Sequence, residues 1–222
     1  TSVTIPAGVT EIGNGAFEAC KNLPAINVAA GNVHYISEDG ILFNKEKTAL
    51  VQYPAGRAGA SYTISNSVKI IAEEAFNGCD NLTSITIPTS VTSIGNAAFA
   101  NCHSLTSITI PASVVSIGWG VFSACQALTE IKVDAANPAY IAIDGVLFDK
   151  NMTTVIQRPE KRSETSYTIP SGVTTIAEGA FWGNTELTSI TIPNDVSMIG
   201  DRAFSHSGLT SVTLPVSVTQ IG

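Results

Sequence analysis

The side chains of this sequence that could do chemistry are four cysteines, three histidines and a scatter of hydroxyls and carboxylates. Cys20, Cys79, Cys102 and Cys125 each stand three residues after a phenylalanine. An even cysteine count in an extracellular chain suggests disulfides, and Cys79, Cys102 and Cys125 would fall one repeat apart, within bonding reach. The same slot holds Asn184 and Ser207 in later copies. Bonded pairs should appear or vanish together, so the pattern predicts four free, buried thiols, each filling a small slot. There is no C-x-x-C spacing, and His34, His103 and His206 supply no stacked ligand set, so neither a metal nor another cofactor is expected. Asp39 and Asp144 invite a calcium reading, with Glu38 nearby. Asp-Gly before an extended run is an ordinary turn, however, and one carboxylate makes a poor calcium site. No G-x-S-x-G, phosphate-binding loop or H-E-x-x-H is present, and no local signature selects a Ser-His-Asp triad from the many serines. The residues that remain must act by position, so the elements that position them come next.

Composition narrows the classes. Of 222 residues, 44% are hydrophobic and only 13% are charged, with a formal net charge of -7. That is enough apolar material for a core, which excludes disorder. The acidic balance and the lack of a Lys/Arg cluster argue against nucleic acid and against an anionic membrane surface. No apolar run approaches the ~18 residues of a membrane span.

Repetition organises everything else. The block Leu82 to Pro88 returns as Leu105 to Pro111 and Leu187 to Pro193. Phe76, Phe99 and Phe122 lie 23 apart, as do Phe181 and Phe204. The steps Phe17 to Phe76 and Phe122 to Phe181 are both 59, one ordinary unit with a 36-residue insertion. The unit reads V-x-x-I-G-x-x-A-F-x-x-C-x-x-L-x-x-I-x-I-P. The insertions repeat as well: Asp39 to Lys45 matches Asp144 to Lys150 at an offset of 105, as do Pro54 with Pro159 and Tyr62 with Tyr167. A super-repeat of one long and two short units therefore underlies the chain.

Within a unit, Ile85 and Ile87 have strand spacing and point inward, leaving Ser84 and Thr86 outside. Pro88 ends the strand because it cannot donate to a ladder. Val91 and Ile94 occupy a second short extended segment, Gly95 permits a corner, and Asn96 to Cys102 reads as one or two helical turns. Stacked units bury this apolar face continuously. The insertions, about 29–61 and 134–166, are expected to be β-hairpins, with Ile41 to Phe43 and Leu50 to Tyr53 flanking a polar turn. One domain over 1–222 is expected, because the phase never breaks. Neither end carries a polar capping unit, so a fragment of a longer array is expected.

The unit and its Asp144-Gly145-Val146-Leu147-Phe148 insert resemble the BspA-like leucine-rich repeat over essentially the whole chain. Ser65, Asn184, Ser207 and the short final unit at Ser207-Gly208-Leu209 depart from the pattern. The resemblance implies an α/β repeat solenoid: a right-handed leucine-rich-repeat superhelix, with a parallel β-sheet on its concave face, short helical turns on the convex side and two hairpin insertions. It also implies a surface-anchored or secreted protein of host-associated microbes, acting as an adhesin toward host matrix proteins or other cells.

The outward strand positions are the expected contact surface. They form two columns, Ser84, Ser107, Glu130, Ser189 and Ser211, then Thr86, Thr109, Lys132, Thr191 and Thr213. A hydroxyl-lined face suits a protein or glycan partner. Residue by residue, though, threonine also simply suits an exposed strand. Glu130 and Lys132, near Tyr140, mark a local hot spot, and Trp119 and Trp182 either anchor a partner or cap a coil edge. The competing readings are a structural stalk and a β-helix polysaccharide-processing enzyme. The second would need a column of stacked charges, which no adjacent units provide.

Overall fold

A computed structural model describes residues 2–222. The chain winds into stacked coils that carry short strands on two faces. The first ladder is four separate parallel pairs, and the second is two six-stranded sheets in which parallel strands join antiparallel insertion strands. In the first ladder Val3–Ile5 pairs with Ile26–Val28, Ser61–Thr63 with Ser84–Thr86, Ser107–Ile110 with Glu130–Val133, and Ser166–Thr168 with Ser189–Thr191, all parallel. The alternation read from the sequence holds: Ile85, Ile87, Ile108 and Ile110 are buried while Ser84, Thr86, Ser107 and Thr109 are exposed. The second ladder stacks Ile70–Ile71, Ser93–Ile94 and Ser116–Ile117, with Ile71 opposite Ile94 and Ile94 opposite Ile117.

Phenylalanines close the core between the ladders. Phe76 and Phe99 stack at 5.2 Å between ring centroids, Phe99 and Phe122 at 5.6 Å, and Phe181 and Phe204 at 5.5 Å. Offset ring stacking of this kind adds about 0.5–1.5 kcal/mol per pair to the burial itself. Tyr53 extends the first stack, 5.2 Å from Phe76. In the second super-repeat its place is taken by Arg158, only 1% exposed. The guanidinium donates to Asn184 Oδ1 and, at 3.0 Å, to the Glu164 carbonyl, and lies 5.9 Å from the centre of the Tyr167 ring.

The expected helical turns are not helices. Among the described residues there is no helix, and the A-F-x-x-C segments are successive turns. The residues two before and two after the phenylalanine of each such segment have positive φ, as at Ala97 (48°) and Asn101 (57°) around Phe99, and Gly179 (64°) and Gly183 (69°) around Phe181. A left-handed residue cannot continue a right-handed helix, and here two occur within five positions. The backbone donors are satisfied by the next coil instead: Ala97 N, Phe99 N and Asn101 N donate to the carbonyls of Trp119, Val121 and Ser123 at 2.8–3.0 Å. The arc is thus a third stack of intercoil hydrogen bonds.

Each insertion is a three-stranded meander. Tyr35–Glu38 pairs antiparallel with Ile41–Asn44, which pairs with Ala49–Gln52, and the last strand lies parallel to Ile70–Ile71. Tyr140–Ile143, Val146–Asp149 and Thr154–Gln157 repeat this against Thr175–Ile176. The hairpin at Ile41 to Tyr53 is as expected, while the strand before it was not foreseen. Ser61 and Ser166, placed at the insertion ends, already belong to the first ladder. A buried asparagine seats each meander. Asn137 Nδ2 donates to the Pro111 and Val114 carbonyls at 2.7 and 2.9 Å, and its Oδ1 accepts from Ala139 N and Tyr140 N at 2.8 Å. Asn32 does the same 105 residues earlier, toward Pro6, Val9, His34 and Tyr35.

Candidate interaction surface

The first ladder presents the predicted columns. Ser84 is in register with Ser61 and Thr86 with Thr63. Ser107 pairs with Glu130, Thr109 with Lys132, Ser189 with Ser166, and Thr191 with Thr168. Ser61, Thr63, Ser166 and Thr168 are therefore further members, hidden in the sequence because they follow the insertions. The outward hydroxyls of Ser84, Thr86, Ser107, Thr109, Ser189 and Thr191 are exposed. Donation to the backbone of the preceding coil is left to another series, in which Thr83, Thr106 and Thr129 Oγ1 donate to the Ala60, Thr83 and Thr106 carbonyls at 3.0–3.3 Å. The backbone at the columns is already satisfied, so their hydroxyls face solvent with their bonding capacity open.

Two members are placed differently. Ser211 and Thr213 are exposed but lie outside any strand. The arc before them is one residue short, and the segment 209–214 makes no ladder pairing. Between Glu130–Val133 and Ser166–Thr168 the place of a strand is taken by the hairpin tip, whose Gly145 carbonyl accepts from Ile131 N at 3.1 Å. Asp144 (φ 48°) is the turn residue there, and its carbonyl accepts from Arg162 Nη1 at 2.5 Å. Gly40 and Arg57 repeat this at Ile26 and Asp39. The two aspartates thus shape turns that complete the face.

At the expected hot spot the polar groups are partnered within the chain. Glu130 and Lys132 pair with each other at 3.1 Å, and Tyr140 turns inward to accept from Ile117 N at 2.8 Å. An exposed pair of this kind contributes about 0–1 kcal/mol. Trp119 is 58% exposed, whereas Trp182 is half-buried, its ring 4.7 Å from that of His206.

All four cysteines are free. Cys102 and Cys125 direct their thiols at the Phe76 and Phe99 carbonyls at 3.2 and 3.1 Å, and Cys79 faces the Tyr53 carbonyl at 3.8 Å. Burial pushes these thiols up, Cys102 to about 12, so none is a nucleophile near neutral pH. Cys20, expected to be buried, is exposed. Each buried thiol uses a carbonyl 26 residues earlier, in the coil before it.

Comparison with known proteins accords with this geometry. The family model "BspA type Leucine rich repeat region" matches six copies, over residues 1–50, 58–157 and 160–222. No curated protein matches. Among solved structures, a leucine-rich repeat protein from Eubacterium ventriosum is 30% identical with a TM-score of 0.66, over 98% of this chain and 56% of that one. The pneumococcal vaccine antigen PcpA is 25% identical with a TM-score of 0.73, over 98% of this chain and 51% of that one. A leucine rich cell surface protein from Faecalibacterium prausnitzii is 30% identical with a TM-score of 0.68, over all of this chain and 68% of that one. The chain therefore spans about half the length of the first two. With six matched copies and the coil geometry in agreement, the chain belongs to the BspA type leucine-rich-repeat family.

Proposed function

We propose that the chain is a non-catalytic adhesion or protein-interaction module of a cell-surface or secreted protein, which engages a host matrix protein, another cell's surface protein or a glycan through its solenoid surface. The observation that carries this reading is the run of exposed hydroxyls on the first ladder, at Ser84, Thr86, Ser107, Thr109, Ser189 and Thr191. Solenoids of this kind commonly present extended surfaces to partners. A relative is named as a cell surface protein and another as a vaccine antigen, which supports exposure to the outside of a cell. The chain is set against a panel of immobilised matrix proteins and glycans, beside a variant with Thr86, Thr109 and Thr191 changed to Glu. Saturable binding by the parent and its loss in a still-folded variant is the expected result. Binding that survives the three charges would remove the strand face from the reading, and no binding to any surface would favour a stalk.

A further inference from the structure

Each insertion coil lacks an A-F-x-x-C arc, so the arcs on either side of it meet directly, 59 residues apart in sequence. At the first junction they are joined. Asn14 Nδ2 donates to Glu73 Oε2 at 2.9 Å, Asn77 Nδ2 to Glu18 Oε1 at 3.0 Å, and Lys21 pairs with Asp80 at 2.6 Å. Gly78 lies against the opposite backbone, where an added Cβ would stand 2.8 Å from Ala19 Cα.

The second junction is built from the residues 105 later, and none of those links survives. In place of the three joined pairs the corresponding positions hold Trp119 and Glu178, Ser123 and Trp182, and Gln126 and Thr185. Gly183, the counterpart of Gly78, does not meet Ala124 first. The three atoms closest to a Cβ added there all belong to the Glu160 carboxyl, at 2.4–2.6 Å. In the first super-repeat this position is Ala55. Glu160 is thus a wedge between arcs. It is 8% exposed, and its Oε1 has no hydrogen-bond partner among the described residues. The wedged junction opens as two adjoining clefts of about 490 and 300 Å³, the first lined by Glu160, Trp182 and His206 and the second by Trp119, Trp182 and Glu178. Glu160, Glu178 and Glu186 line them with Lys161, Arg202 and two histidines, and Glu18, Glu73 and Glu74 of the first junction border the smaller cleft.

We propose that this second junction binds a cationic side chain, a lysine or arginine of a protein partner, through the Glu160 carboxylate and the Trp182 ring. A buried carboxyl oxygen without a donor is costly, and a donor supplied from outside removes that cost. An indole and a carboxylate lining the same cleft favour a cation, since ring quadrupole and charge act together. The excess of carboxylates in the lining steers the same sign of ligand. The inference does not depend on the strand face proposed above.

Trp119 and Trp182 are the chain's two tryptophans, so indole fluorescence reports on this junction alone. Burial holds the Glu160 carboxyl up at about 7, so the titration is run at alkaline pH and low salt. The probe is an end-blocked trilysine peptide, beside its Nε-acetylated form and a neutral chitotriose. A saturable change with trilysine is expected, weakened at least about tenfold by side-chain acetylation, by Glu160→Gln, and by Glu160→Ala, which restores the residue of the first junction. Glu11→Gln, an exposed carboxylate outside the clefts, and the triple Thr→Glu variant should leave the response unchanged. Equal binding by the Glu160 variants and the parent overturns the proposal. So does equal weakening by Glu11→Gln, the absence of any response to trilysine, or a response to chitotriose alone, which would make the junction a sugar site.

Discussion

The ring stack offers two solutions to one slot, and their difference can be exchanged. The first super-repeat places Tyr53 there, 4.9 Å from the Tyr62 ring and 5.2 Å from Phe76, with Cys79 directed at its carbonyl. The second places Arg158, whose guanidinium donates to Asn184, the counterpart of Cys79, and sits 3.5 Å from the Glu164 carboxylate. Arg158→Tyr alone leaves the Asn184 amide oxygen buried without its donor, which should cost about 1–3 kcal/mol. Asn184→Cys alone deprives a fully buried guanidinium of an acceptor and should cost about 3 kcal/mol. The double variant recreates the tyrosine and cysteine pair against Tyr167 and Phe181. It should return to within about 1 kcal/mol of the parent, or exceed it, because an apolar replacement for a buried ionic group is often neutral or better. The expected coupling energy is therefore about 3 kcal/mol or more. Urea unfolding of the four proteins, followed by circular dichroism and by fluorescence, measures it, with coincident transitions and a constant slope establishing comparability. Additivity of the two single effects within about 0.5 kcal/mol would show that the slot does not choose its residues together, and would refute the reasoning.

Two further outcomes follow from buried polar groups. Burial raises the Glu160 carboxyl from its ordinary 4.5 to about 7, so ionising it costs stability. The cost is absent below pH 4.5 and complete above about 7. Glu160→Gln should thus be nearly neutral at acid pH and stabilising by roughly 2 kcal/mol at alkaline pH, a rise of several degrees in Tm. A difference that does not vary with pH in thermal melts would count against it. Asn137→Ala removes four hydrogen bonds and strands the Val114 carbonyl and two amides, while the Pro111 carbonyl keeps Val114 N, so a loss of about 3 kcal/mol is expected. Asn137→Asp should also destabilise, since a carboxylate cannot donate to Pro111 and Val114. A loss under about 1 kcal/mol in denaturant unfolding would mean that water replaces the side chain.

Repeat length, super-repeat, strand phase and part of the outward hydroxyl columns were legible from residue types, because period-2 alternation and the 23-residue step are local and recur. The hairpins were legible for the same reason, from Asp-Gly turns between apolar runs. The misread arc had a signal too. Glycine recurs two before the phenylalanine at Gly15, Gly120 and Gly179, and two after it at Gly78 and Gly183, all with positive φ. At Ala97 and Asn101 that conformation is imposed on ordinary residues by hydrogen bonds to the next coil, so local propensity for helix loses to stacking.

Periodicity sets what each coil buries, and those assignments stand without coordinates. Contacts between residues 59 apart do not. Whether two arcs close through Asn14, Asn77 and Lys21 or are wedged open by Glu160 depends on which side chains meet across a missing arc. Burial in a solenoid comes from the neighbouring coil, and a repeat pattern describes the coil without its neighbour.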